Sequence, residues 1–278
     1  MVTVTFYEER REATETWRGN MDTLNVTRMG DQGPTLVFLH GLMGRGKNFT
    51  GVAKELSKDF RMVLIDLPNH GESPWTDTFS YTDMAQAVAK EIEPDAPVYL
   101  LGHSMGGKVA MTLSLTQPEL VDKLIIEDIS PQAGGDMGEF VHLLDTLKKL
   151  DLDSLTSRAE AHERIAEDVP NESVRGFLLQ NLRRSGDGFE WQPNLNLLFD
   201  SLKEIGDFPS IDATYDHKVL WMVGENSAYG DPKFLPLVRE YFPRAVRLVI
   251  RDAGHWLHSE QPRVFVDAVR AFFLAGDD

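Results

Sequence analysis

The chain has 278 residues, 28 Lys and Arg against 44 Asp and Glu, a formal net charge of −16 and 42% hydrophobic residues. Such a chain suits one large water-soluble α/β domain with an insertion, and its acidity excludes nucleic acid and anionic lipid as expected partners, because both need a basic surface. With no cysteine, disulfides, thiolate metal ligands and a cysteine nucleophile are excluded, and without a basic and apolar leader or an apolar run of membrane length, the expected location is the cytoplasm.

Residues 2–7 and 24–29 alternate well enough to be opening strands. Gly33-Pro34 then break the chain before TLVFLHG, a continuous apolar strand ending in His40-Gly41, and LMGRGKNF leads from there into a helix near residues 48–56. A second buried-strand run, 61–65, ends in DLPNHGES, and residues 81–92 carry apolar positions at helical spacing. Residues 97–101 form the next short apolar strand and 105–115 the next helix, with Gly102-His103-Ser104-Met105-Gly106 between them. That segment fits G-x-S-x-G in its required strand–turn–helix context. Ser104 at such a tip is pushed above the sheet edge, where the helix N-terminus aims unpaired N–H groups at any oxyanion formed beside it.

Residues 121–126 form a further strand, ending in Glu127-Asp128-Ile129-Ser130-Pro131. Strands alternating with helices at this rhythm imply a mainly parallel sheet covered on both faces, with active groups beyond the carboxyl ends of the strands. His40, Asp66, Ser104 and Asp128 all fall at such ends. From 132 to 209 the rhythm stops and the pattern becomes helical and strandless, with apolar residues such as Leu144, Leu147, Leu178, Leu182, Leu195 and Leu198 at amphipathic spacing. The expected organisation is a core of residues 1–131 and 210–278 carrying an inserted helical cap, 132–209. Strand rhythm resumes at 218–223, followed by Gly224-Glu225-Asn226-Ser227, a helix near 232–241, and a last strand, 246–250, running into Arg251-Asp252-Ala253-Gly254-His255-Trp256. The closing helix, 262–274, is amphipathic.

HGLMGRGKNF, DLPNHGES, GHSMGGKVAM and IIEDISP, standing in register with the late GHW, give a chain that resembles the α/β-hydrolase superfamily. More narrowly it resembles the YbfF-type esterases and their mitochondrial relatives. The resemblance implies an α/β-hydrolase fold and acyl transfer in which Ser104 attacks an ester carbonyl while His255 takes the proton and returns it to the leaving alcohol. His142, His162 and His217 lie outside any motif and read as structural, and His258 reads as a flanking or supporting residue. Most of the superfamily places the acid in G-x-x-D after the strand before the last helix–strand pair, but the fourth position here is Ser227. The alternative site, used in the branch this chain resembles, is the end of the strand after the nucleophile helix, which holds Asp128, with Glu127, Glu225 and Asp231 as lesser candidates. The backbone N–H groups of Leu42 and Met105 are the expected oxyanion donors. His40, Asp66 and Asn69-His70-Gly71 read as braces of their loops.

The expected reaction is hydrolysis of small to medium acyl esters, with no metal and no cofactor. A thioesterase or an alcohol acyltransferase would share the acyl-enzyme, and a ligand receptor retaining a hydrolase pocket is the reading from a different class. Haloalkane dehalogenases and epoxide hydrolases carry aspartate where this chain has Ser104. Acyl length, alcohol and oligomeric state are not readable from these residues.

Overall fold

The computed structural model describes residues 23–135 and 137–276; the strand expected over residues 2–7 lies outside them. The described chain opens with β1 (Val26–Met29), β2 (Thr35–Leu39), α1 (Thr50–Leu56), β3 (Arg61–Ile65) and α2 (Tyr81–Ile92). It continues through β4 (Val98–His103), α3 (Met105–Thr116) and β5 (Val121–Glu127). After an inserted segment come β8 (Lys218–Gly224), α9 (Leu235–Tyr241), β9 (Ala245–Ile250), α10 (Leu257–Glu260) and α11 (Pro262–Leu274). The helix expected from residue 48 starts as a 3-10 turn over Gly46–Phe49, and the one expected from 232 does so over Pro232–Phe234.

Seven strands form one sheet in the order β1-β3-β2-β4-β5-β8-β9, parallel except for the antiparallel β1. All five residues of β2 are buried because both faces of the sheet are covered, which is why the run is continuously apolar rather than alternating. Val37, Leu39, Val63 and Leu100 face α2 and α3 in one core, while Leu36, Phe38, Leu64 and Leu101 join Phe49, Leu56 of α1 and Phe265, Phe273 of α11 in the other. The Ser80 hydroxyl caps α2 by accepting from the Asp83 amide at 3.2 Å.

Parallel registers bring the strand ends level. His103 pairs with Glu127 and Glu127 with Met222. The ladder runs one residue further, since the Ser104 amide donates to the Glu127 carbonyl at 3.0 Å and the Asp128 amide to that of Met222 at 2.8 Å. Ser104 and Asp128 therefore leave adjacent strands side by side at the carboxyl edge.

The inserted segment holds α4 (Gly138–Lys149), α5 (Arg158–Arg164), α6 (Glu172–Leu179), α7 (Leu195–Asp200) and α8 (Leu202–Gly206). It is not strandless. An antiparallel hairpin, β6 (Leu182–Ser185) with β7 (Gly188–Trp191), sits between α6 and α7. The turn between them is Gly186-Asp187, with Gly186 at φ 57°, a backbone conformation that favours glycine. The hairpin region reaches the loops after β2 and β3: Asn181 Nδ2 donates to the Met43 carbonyl at 2.7 Å, Trp75 Nε1 to that of Gln192 at 2.9 Å, and the Asn194 amide to that of Asn69 at 3.0 Å. Among the described residues no helix is long and apolar enough to cross a membrane.

Candidate active site

Ser104 stands at the tip of the turn from β4 into α3, with φ 53° and ψ −120°, a conformation costly for a residue with a side chain. The turn closes only because its neighbours lack side chains. A Cβ on Gly106 would lie 2.4 Å from the His40 carbonyl oxygen, and one on Gly102 would lie 2.3 Å from that of Gly106. Ser104 is 8% exposed and lines the same recess as His255, together with Leu42, Phe140, Phe177 and Trp256.

Asp128 is fully buried, and like Ser104 it has a positive φ, 50°. Its Oδ2 accepts from His255 Nδ1 at 2.7 Å and from the Ser227 hydroxyl, while its Oδ1 accepts from the Gly224 amide at 2.9 Å. Three donors thus converge on one buried carboxylate. An ionised carboxylate only accepts, so Nδ1 of His255 carries the proton and Nε2 is left with its lone pair. The imidazole lies between the rings of Tyr229, 4.6 Å away, and His103, 4.7 Å away.

The other acids considered from the sequence lie elsewhere. Glu225 accepts from the Asp252 amide at 3.1 Å, and Asp231 caps the turn at Lys233. Glu127 holds a second histidine: its Oε1 accepts from His258 Nδ1 at 2.7 Å and from the His258 amide at 3.2 Å. Consecutive carboxylates at the end of β5 thus hold His255 and His258, three residues apart. Between them lies His103, whose Nε2 donates to the His255 carbonyl at 2.8 Å, tying the residue before the elbow serine to the histidine loop. Burial pushes the His103 pKa well below its usual value and the neighbouring His255 and His258 push the same way, so this ring is neutral.

His103, Glu127 and His258 offer ligand atoms within 4.8 Å of one another and are the group among the described residues close enough to share a metal ion. As placed, Glu127 and His258 bond each other directly and His103 bonds a carbonyl, an arrangement that needs no ion. Sequence reasoning missed the Glu127–His258 pair and the Ser227 contact; the only available signal was the adjacency of Glu127 to Asp128 and the i, i+3 spacing of the two histidines.

Among the described residues neither the Leu42 nor the Met105 N–H has an acceptor within the chain. Both residues line a cavity beside Ser104, and Met105 is the first residue of α3, whose N-terminal amides have no intrahelical partner. His40, Asp66 and His70 hold loops. The Leu67 amide donates to His40 Nε2 at 2.9 Å, Asp66 accepts from the Gly46 amide at 2.7 Å and the Glu72 amide at 3.0 Å, and His70 Nδ1 donates to the Pro68 carbonyl at 3.0 Å.

The family described as alpha/beta hydrolase fold matches residues 34–262. The chain is 37% identical over 251 residues to the sn-1-specific diacylglycerol lipase ABHD11 of Danio rerio, covering 87% of this chain and 79% of the relative. It is 30% identical over 239 residues to esterase YbfF of Escherichia coli (strain K12), covering 85% and 92%. Among solved structures, a marine microorganism esterase superposes with a TM-score of 0.87 at 34% identity, covering 90% of this chain and 99% of that one.

Proposed function

Because the chain belongs to the α/β hydrolase fold family and is a hydrolase of the carboxylesterase type, we propose that it cleaves small to medium acyl esters through an acyl-enzyme on Ser104. His255 is the base and Asp128 the carboxylate that orients it. The observation that carries this reading is the 2.7 Å contact from His255 Nδ1 to the buried Asp128 carboxylate, on an imidazole that shares a recess with Ser104.

The steps follow from the proton positions. Nε2 of His255 takes the Ser104 hydroxyl proton as Oγ bonds the ester carbonyl carbon, and the carbonyl π electrons move onto oxygen. That oxyanion lies toward the N–H groups of Leu42 and Met105, at the positive end of α3, and one such donor is worth about 10² to 10³ in turnover. The tetrahedral centre collapses by breaking the bond to the alkoxy oxygen, which receives the proton from Nε2. Water, deprotonated by the same Nε2, then attacks the acyl carbon and releases the acid and Ser104. Asp128 stays ionised throughout and stabilises the imidazolium formed in each half-reaction. The inserted segment, 132–209, closes over this site as a cap and selects the ester by shape.

Incubation with an activated ester such as 4-nitrophenyl acetate should give a burst of nitrophenol and a mass increase of one acyl group on the protein. Both vanish in Ser104→Ala, and a burst that survives in that variant removes Ser104 from the chemistry. Asp128→Asn should lower kcat by about 10⁴ through the wrong imidazole tautomer. Near-normal turnover there would move the orienting role to another group.

A further inference from the structure

Two cavities meet at Ser104, and they differ in one residue that matters. A cavity of about 400 Å³ is lined by Leu42, Ser104 and Met105 but not by His255. On the other side lies the narrow recess that holds both Ser104 and His255. The recess shares Asn48, Phe177, His255, Trp256 and His258 with a second cavity of about 640 Å³ under α6, so the two adjoin.

From this we infer that the 400 Å³ cavity binds the acyl chain and that the alcohol lies in the cavity under α6. The inference rests on the acyl-enzyme reading above and adds direction to it. Nε2 of His255 must hand its proton to the alkoxy oxygen as the carbon–oxygen bond breaks, so the alcohol has to lie on the histidine side. The oxyanion faces the amides of Leu42 and Met105. The remaining bond of the carbonyl carbon, which carries the acyl chain, then points away from the imidazole into the cavity that His255 does not line.

The chemistry of each wall fits its occupant. Beyond Ser104 the first cavity is walled by Ile129, Phe140, Ile205 and Phe234, with Gln132, Glu139 and Lys233 also on its lining. Lys108, on the same lining, directs its ammonium onto three backbone carbonyls rather than into the cavity. The apolar part of this wall suits a hydrocarbon chain. At about 30 Å³ for a water-sized group the volume holds about a dozen such groups, enough for an octanoyl chain with room to spare. The cavity under α6 is polar at its outer end, with Asn171, Ser173, Ser259 and Glu260 on its wall. It suits a small hydroxylated alcohol better than a second hydrocarbon tail.

The test reads two ratios of kcat/KM. The acyl ratio compares 4-nitrophenyl octanoate with 4-nitrophenyl acetate, and the alcohol ratio compares glyceryl octanoate with methyl octanoate. In the unsubstituted protein kcat/KM should climb by up to about fourfold per added methylene until the cavity is full. Met137→Trp, which fills the first cavity from the inserted segment, should cut the acyl ratio by about tenfold or more and shift the alcohol ratio by less than about threefold. Val174→Trp, on α6, should do the reverse. Phe234→Ala serves as an enlarging variant that does not depend on a tight fit, and should shift the chain length of highest kcat/KM upward from that of the unsubstituted protein. Exchanged effects, equal effects on both ratios, or no effect from all three variants would overturn the assignment. Failure of the acyl-enzyme itself would show separately, as loss of the burst in the unsubstituted protein.

Discussion

At Asp128 two donors that lie 99 and 127 residues further along the chain converge on one oxygen: the Ser227 hydroxyl and His255 Nδ1 both donate to Oδ2. Ser227 occupies the site where most of the superfamily carries its acid, so the two solutions to holding the imidazole lie within one hydrogen bond of each other. The exchange should therefore be reversible by mutation. Asp128→Ser alone should lower kcat by about 10³ to 10⁴, and adding Ser227→Asp should restore at least about tenfold of that loss, because the new carboxylate starts within reach of the same Nδ1. Steady-state kinetics on a single activated ester reads the outcome, and a double variant no better than Asp128→Ser would mean that the backbone at 227 cannot aim a carboxylate at His255. The positive φ of Asp128 belongs to the same argument. It lets Glu127 and Asp128, which a regular strand would send to opposite faces, each reach a histidine of the segment 255–258.

Elements are joined to the inserted segment by a buried ammonium. Lys108, one turn into α3, is 4% exposed, and its Nζ donates to the carbonyls of Ile205 at 3.0 Å, Gly206 at 2.8 Å and Asp207 at 2.8 Å, at the C-terminal end of α8. Burial pulls its pKa down to about 8, against the opposing pull of Asp207. Tyr81 Oη adds a bond to the Ile205 carbonyl at 2.7 Å. Lys108→Met keeps most of the stem but removes three charge-assisted hydrogen bonds, and should cost about 3 kcal/mol, seen as a lower urea midpoint at unchanged slope; an unmoved midpoint would mean that water replaces the ammonium without loss. Nothing in GHSMGGKVAM announces this clasp, because its partners lie in another element about a hundred residues on. The same limit explains what was legible and what was not. Buried runs such as TLVFL and the elbow glycines carry their structure locally, so the strands of the main sheet, α3 and the tight turn at Ser104 could be read from the chain alone. The hairpin over residues 182–191 was missed because LRRSGDGFEW interleaves Arg, Ser and Glu with only three apolar residues; its one local sign was Gly186-Asp187-Gly188 between two short alternating runs. The Glu127–His258 pair, 131 residues apart, had no local sign strong enough to find it.

Across the whole molecule, the carboxyl edge of the sheet is held together by histidines that stay neutral. His40, His70 and His103 are 1%, 0% and 4% exposed. Burial lowers the pKa of all three, that of His70 to about 3, aided by the neighbouring His40, and that of His40 against the attraction of Asp66. Among the described residues His70 Nε2 has no hydrogen-bond partner. In the unfolded chain each of these rings titrates near 6.5. The unfolded state therefore binds more protons than the folded one below that pH, and stability is complete above about 6.5 and falls as the pH drops through it. Each histidine contributes a slope of up to about 1.4 kcal/mol per pH unit, so lowering the pH from 7 to 5.5 should cost about 3 kcal/mol. Carboxylates do not blur this window. Glu160, held down to about 2 by its bonds to Thr156 and Arg164, loses its contribution only at far lower pH. Urea unfolding of the intact chain at pH 7 and 5.5 measures the difference. A midpoint that holds steady between them would require at least one of these rings to find a carboxylate or water on protonation, and His40, 5.1 Å from the His70 ring and beside Asp66, is the one whose surroundings could supply it. His40→Gln should then leave the steady midpoint of the unsubstituted protein behind and restore a pH-dependent loss from the remaining two rings.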